Sequence, residues 1–99
     1  MAWTIKYTEF AAKQMQKLDR SISKRIDKYL NERIAKQKDP CLFGKALLHD
    51  KSGLWRFRID DYRIICTIEH SEFIVLVLRV GHRKEIYSEK YNSSTILNS

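Results

Sequence analysis

The second half of the chain leaves few architectures open. Three apolar-rich runs, at residues 55–59, 63–68 and 73–80, are separated only by the short polar breaks Asp60-Asp61 and Glu69-His70-Ser71-Glu72. Breaks of that length admit hairpins but not the long crossover that a parallel pair needs, so the three runs form an antiparallel meander. In the first run Trp55, Phe57 and Ile59 alternate with Arg56, Arg58 and Asp60, the pattern of a strand with one buried face. The third run is nearly all apolar and reads as a central strand covered on both faces.

The first half supplies the cover. Trp3, Ile5 and Tyr7 alternate with Thr4, Lys6 and Thr8 as a further strand. Thr8 then caps a helix with Glu9 in its first turn, along which Ala11, Met15 and Leu18 recur at helical spacing beside Phe10. Asp19-Arg20-Ser21 reads as a break, and Ser21 as the cap of a second helix bearing Ile22, Ile26, Tyr29, Leu30 and Ile34. The outer face of that helix is basic, with Lys24, Arg25, Lys28, Arg33 and Lys36, and Pro40 closes the polar run behind it. Residues 41–53 are the least periodic part, and Lys51-Ser52-Gly53 reads as the turn into the meander. The expected fold is α+β: one domain over residues 1–99, in which a two-helix hairpin packs on a mainly antiparallel, four-stranded twisted sheet in the order β-α-α-β-β-β. Residues 91–99 are expected to form a flexible tail. The helices cover one face of the sheet, and the other face carries Arg56 and Arg58.

Composition narrows the partners. With 99 residues, 43% hydrophobic and 31% charged, the chain is globular and too short for a doubly wound fold or an eight-stranded α/β barrel. Nineteen Lys and Arg against 12 Asp and Glu leave a net charge of +7, which points to an anionic macromolecule. Residues 1–50 hold 11 basic and 6 acidic side chains, and residues 51–99 hold 8 and 6, so most of the surplus lies in the first half. There is no signal peptide pattern and no apolar run long enough to span a bilayer, which makes a cytoplasmic protein without a membrane partner the expectation. Cys66 reads as a small core residue, Cys41 as incidental, and neither stands at metal-ligand spacing.

The sequence contains no HExxH, CxxC, GxGxxG or Walker A motif and no nucleophile elbow. His49, His70 and His82 have no carboxylate at ligand spacing, so neither a metal nor a cofactor is expected. What remains is a set of arginines. Arg56 and Arg58 point to one side of a strand, Arg63 lies just across the tight turn, and Arg79 and Arg83 flank the end of the last strand, with Tyr87 four residues on. Converging guanidiniums suit a phosphodiester: each offers a planar fork of donors and keeps its charge, so it stabilises a charged transition state but is a poor proton acceptor. His82, His49, Lys51, Lys84 and Tyr87 are then the candidates for proton transfer, with His82 the best by chemistry. The same residues also fit a half-exposed strand, an ion pair of Arg63 with Asp60 or Asp61, and an ordinary loop histidine.

The stretch Gly53-Leu-Trp-Arg-Phe-Arg-Ile-Asp-Asp-Tyr-Arg-Ile-Ile, followed by Leu78-Arg-Val-Gly-His-Arg-Lys-Glu-Ile-Tyr87, resembles the RelE family of bacterial toxins, in the RelE/ParE superfamily. The resemblance covers roughly residues 2 to 90 and includes the order of elements. It implies an endoribonuclease, an mRNA interferase, that enters the A site of the 70S ribosome and cuts messenger RNA there. The implied chemistry is metal-free attack of the ribose 2′-hydroxyl on the adjacent phosphate, leaving a 2′,3′-cyclic phosphate and a 5′-hydroxyl. It also implies a cognate antitoxin that neutralises the toxin, and operator DNA bound only through that antitoxin.

Carried over by motif, the implied catalytic set is Arg56, Arg58, Arg63, His82, Arg83 and Tyr87. Lys24, Arg25, Lys28, Lys51, Arg79 and Lys84 are expected to bind RNA or ribosome. The family's best-known member has lysines at the positions of Arg56 and Arg58, one of them proposed as the base; arginines here move that role toward His82. Two other readings stay open: a ParE-like toxin that poisons DNA gyrase without cutting RNA, and a binding module that has lost catalysis.

Overall fold

Thr8 holds the first helix as its position suggests, its side chain accepting the Ala11 N–H at 3.1 Å. The computed structural model describes residues 2–47 and 53–84. β1 (Thr4–Tyr7) leads into α1 (Glu9–Lys17) and α2 (Arg20–Tyr29), followed by a π-helical turn, Leu30–Ile34, and a 3-10 turn, Pro40–Phe43. Then come β2 (Lys45–Ala46), β3 (Leu54–Ile59), β4 (Tyr62–Glu69) and β5 (Ile74–His82). All five strands join one sheet in the order β1-β5-β4-β3-β2; β1 runs parallel to β5 and every other pair is antiparallel. The α+β class, the helical hairpin and the meander are as expected, but the sheet has five strands rather than four. The added β2 is two residues long, too short to show any alternation.

Two further differences concern α2. It starts at Arg20, not after Ser21: the Asp19 carbonyl accepts the N–H groups of Ile22 and Ser23 at 2.9 and 3.0 Å, so Ser21 lies inside the first turn. At its far end the helix widens, with Ala35 N–H donating to the Leu30 carbonyl at 2.8 Å, five residues back. That extra residue turns Leu30, Ile34 and Ala35 all inward, at 3% exposure or less. The Ala35 carbonyl then accepts the Trp3 N–H at 2.6 Å and ties the helices to the start of β1.

The core lies between the helices and one face of the sheet. Phe57, Ile64, Cys66, Val75, Val77 and Val80 from the sheet meet Ala11, Ile26, Leu30 and Ile34 from the helices. Cys66 is fully buried, and burial pushes its thiol well above the usual range, so it packs as an apolar residue. Tyr7 donates to Asp27 Oδ1 at 2.7 Å, and burial together with that bond keeps the phenol protonated. Among the described residues, no helix is long and apolar enough to cross a membrane.

One irregularity decides which side chains reach which face. Ile65 is opposite Arg79, but the next residue, Cys66, is opposite Val77, so Leu78 is an extra residue in β5. Val75 and Val77 are core residues two apart, yet the next core residue is Val80, three further on. Without the bulge, Arg79 would fall on the core face with Val75 and Val77. Residues of α1 and its cap hold the bulge: Val80 N–H donates to Gln14 Oε1 at 2.7 Å, Thr8 N–H to the Val77 carbonyl at 2.9 Å, and Thr8 Oγ1 to the Leu78 carbonyl at 3.4 Å.

Gln14→Ala strands the Val80 N–H and should lower stability by about 1–3 kcal/mol in urea unfolding. Lys13→Ala, at an exposed i,i+4 pair with Glu9, should stay within about 0.5 kcal/mol. Gly44→Ala should also destabilise, by about 1–3 kcal/mol. Its Cβ would come within 2.9 Å of Phe57 Cε1 and 3.0 Å of the Arg56 carbonyl.

Candidate functional site

The register of the sheet assembles the arginines. Residues directly opposite one another in an antiparallel sheet share a face, with side chains about 5 Å apart. Lys45, Arg56, Ile65 and Arg79 are opposite one another in turn across four strands, and Arg58, Arg63 and Gly81 form the adjoining row. Both rows lie on the face away from the helices. Five cations occupy them, and no carboxylate does. Arg58 and Lys45 are exposed, while Arg56 and Arg79 are half-buried with their Nε atoms out of solvent. Lys45 was not singled out from the sequence, since its place in the row depends on the short β2 pairing.

Arg63 is the buried member, at 5% exposure. It faces Arg58 directly, a like-charge pair that costs energy. Its guanidinium turns toward the β3–β4 turn, where one terminal nitrogen donates to the Asp60 and Tyr62 carbonyls at 3.0 Å each. That turn is the predicted two-residue loop Asp60-Asp61, with Asp60 at φ +52°, a left-handed conformation that Asp tolerates better than most residues. Arg83 reaches the same turn: its N–H donates to the Asp61 carbonyl at 2.7 Å and its Nε lies 3.7 Å from Asp61 Oδ1. From the helix side Arg25 pairs with Asp60. Arg63 and Arg83 therefore meet at one end of the arginine rows.

His82 does not join them. It is opposite Tyr62, on the helix side of the sheet, and the two rings pack edge to face with centroids 5.4 Å apart. Its Nδ1 accepts the Lys84 N–H at 3.1 Å, and the ring borders a shallow cavity of about 280 Å³ with Arg25, Ile22, Ile26 and Ile59. The alternation of a strand explains the separation: His82 and Gly81 point to opposite faces, and it is Gly81 that stands beside Arg63. Lys24, Arg25 and Lys28 also lie on the helix side, so the basic residues fall on two surfaces rather than one. Arg79 is in the sheet rows, and Lys84 is exposed just past β5. His49, Lys51 and Tyr87 lie outside the described residues, as does the expected tail at 91–99.

The arginine face can hold a phosphate with several charge-assisted hydrogen bonds. Its members differ in freedom, since Arg63 is anchored on backbone carbonyls whereas Arg58 is exposed.

Comparison with known proteins gives one consistent assignment. A family model described as the ParE toxin of the type II toxin–antitoxin system parDE matches residues 5–87. Toxin RelG of Mycobacterium tuberculosis is 28% identical over 87 residues, covering 88% of this chain and 98% of RelG. The toxin–antitoxin complex RelBE2 of the same organism contains a chain with the same fold, at TM-score 0.74 and 24% identity, covering 83% of this chain and 92% of that one. A free RelE toxin variant of E. coli superposes at TM-score 0.70 with 24% identity, covering 90% and 94%.

Arg63→Met should lower stability by about 1–3 kcal/mol, because the buried guanidinium and its two part-buried hydrogen bonds to turn carbonyls are lost. Arg58→Met, at an exposed position, should change stability by less than about 0.5 kcal/mol. Urea unfolding of the two variants measures the contrast.

Proposed function

The chain belongs to the RelE/ParE superfamily of type II toxin–antitoxin toxins, and from that premise we propose that it is a ribosome-dependent mRNA endoribonuclease. The observation that carries the reading is the pair of cationic rows on the sheet face opposite the helices, Lys45–Arg56–Arg79 and Arg58–Arg63. A phosphodiester seated there gains charge as the ribose 2′-hydroxyl attacks it, and fixed guanidiniums stabilise that charge without reorganising. Arg56, Arg58 and Arg79 bind the message backbone. Arg63 and Arg83, meeting at the β3–β4 turn, stabilise the transition state. The products are a 2′,3′-cyclic phosphate and a 5′-hydroxyl.

Arginines keep their protons, and His82 faces the helices. Tyr87, four residues beyond Arg83 in the sequence, is therefore proposed to orient or activate the hydroxyl. Lys24, Arg25, Lys28, Lys51 and Lys84 contact ribosomal RNA in the A site. A domain this small has little room for a substrate cleft of its own, which suits an enzyme whose message is held by the ribosome.

Solved relatives in complex with antitoxins support a cognate antitoxin as the regulatory partner. Operator DNA is proposed to be reached only through that antitoxin. The family model's own description, of the parDE system, favours one second reading: a toxin that binds and poisons DNA gyrase.

Mapping of mRNA 5′ ends after a brief pulse of expression separates the two. Cyclic-phosphate and 5′-hydroxyl ends on ribosome-bound messages are expected, whereas growth arrest with intact messages and inhibited supercoiling would select the gyrase reading. In a reconstituted ribosome assay Arg83→Ala and Tyr87→Phe should each slow cleavage by roughly 10²-fold or more. His82→Ala should stay within about threefold; a loss of roughly 10²-fold or more would return the base role to His82.

A further inference from the structure

At the end of the sheet remote from the β3–β4 turn, three side chains with metal-binding atoms converge. His70 follows the last residue of β4, and Asp39 and Cys41 flank Pro40 at the start of the 3-10 turn. Arg63 and Glu69 lie six residues apart on β4, about 20 Å, so this cluster is separate from the meeting point of Arg63 and Arg83. Cys41 Sγ lies 3.9 Å from His70 Nε2, Asp39 Oδ1 lies 3.6 Å from the same nitrogen, and the three ligand atoms all fall within 4.8 Å of one another.

We propose that Asp39, Cys41 and His70 form a binding site for one divalent transition-metal ion of the zinc type.

The geometry separates a chelate from a catalytic relay. In a nucleophile–imidazole–carboxylate relay the thiol and the carboxylate engage opposite ring nitrogens. Here both face Nε2, so the three donors surround a common point. Tetrahedral zinc, with bonds of about 2.3 Å to sulfur and about 2.0–2.2 Å to nitrogen and oxygen, sets S···N and N···O separations of about 3.5 and 3.4 Å. Contraction by a few tenths of an ångström brings the two separations from Nε2 to those values, and small side-chain rotations of Asp39 and Cys41 close the remaining one, which is no more than 4.8 Å.

One thiolate, one imidazole and one carboxylate form a donor set that suits zinc and not magnesium or calcium, which prefer all-oxygen sites. The surroundings hold the donors in place. Trp3 packs edge-on against the His70 ring at 5.5 Å, and Asp39 Oδ1 accepts the Cys41 N–H at 3.1 Å. Burial, and then Asp39, push the Cys41 thiol up to about 11, so ligation displaces its proton to solvent as the sulfur–metal bond forms. Three protein ligands leave a fourth position for water.

The ion would clasp the 39–41 segment to the β4–β5 turn. The same segment continues through Phe43 and Gly44 to Lys45, beside Arg56 and Arg58. Neither residue pair was visible as a ligand set in the sequence, because Asp-x-Cys is a short local pair and its histidine lies 29 residues beyond Cys41.

The untagged full chain, stripped with chelator, is titrated with Co²⁺ and then Zn²⁺. One Co²⁺ per chain is expected, with a thiolate-to-cobalt charge-transfer band, visible bands of tetrahedral intensity, and loss of both on Zn²⁺ addition. Cys41→Ser should abolish the thiolate band, and His70→Ala and Asp39→Asn should each weaken Co²⁺ binding at least tenfold. Cys66→Ala should retain the band. Zn²⁺ in excess should raise Tm of the wild type by about 5 °C or more and leave Cys41→Ser unmoved. All three ligands are partly exposed, so their variants are expected to fold, which circular dichroism checks. Absence of a thiolate band, its persistence in Cys41→Ser, its loss in Cys66→Ala, or one ion shared by two chains would each overturn the site.

Discussion

The bulge at Leu78 is the constraint on which the arrangement of this sheet depends. It shifts the alternation of β5 by one residue, which keeps Val80 in the core and sends Arg79 to the opposite face. A bulge disturbs the ladder and leaves backbone groups in need of partners, and the amide of Gln14, projected from α1, meets the Val80 N–H. The helical hairpin thus contributes more than apolar cover. A polar side chain on it stabilises the register that allows Arg79 to stand in the same row as Lys45 and Arg56.

A second organising point is the β3–β4 turn. Arg25 from α2, Arg63 from β4 and Arg83 from beyond β5 all engage Asp60, Asp61 or the turn's carbonyls. Three distant parts of the chain are held at one corner by hydrogen bonds and ion pairs. The exposed ion pairs there add little stability, but the buried Arg63, with its carbonyls satisfied, holds the corner's shape. The proposed cleavage chemistry needs such a corner, since fixed donors stabilise a transition state better than donors that must first be ordered.

Much of the fold was legible because its signals are local. Alternation at Trp55–Phe57–Ile59 and at Trp3–Ile5–Tyr7, the helical spacing of Ala11 and Met15, and the short breaks between strands each lie within a few residues. The differences arose where a distant partner decides. The π-helical widening after Tyr29 answers to burial of Ala35, and β2 exists because Lys45 and Ala46 find β3. The candidate site divides the same way. Arg56, Arg58 and Arg63 share a face by counting along strands and across one tight turn, so their grouping could be read directly. His82 was grouped with them through proximity in sequence to Arg83, and the bulge at Leu78, which resets the alternation of β5, places it on the other side of the sheet.

By itself, the amino-acid sequence determined the class of fold, the meander, the helical cover and the arginine-bearing strand, because period and turn length are properties of short stretches. The paired motifs around Arg56 and Arg83 also pointed to the right superfamily. The tertiary structure alone decided the five-strand order, the face on which Arg79 stands, the exclusion of His82 from the arginine rows and the meeting of Asp39, Cys41 and His70. Each of these depends on which residues become opposite or adjacent after folding. That is set by hydrogen bonds and packing between segments tens of residues apart, such as Gln14 with Val80, and no local pattern encodes it.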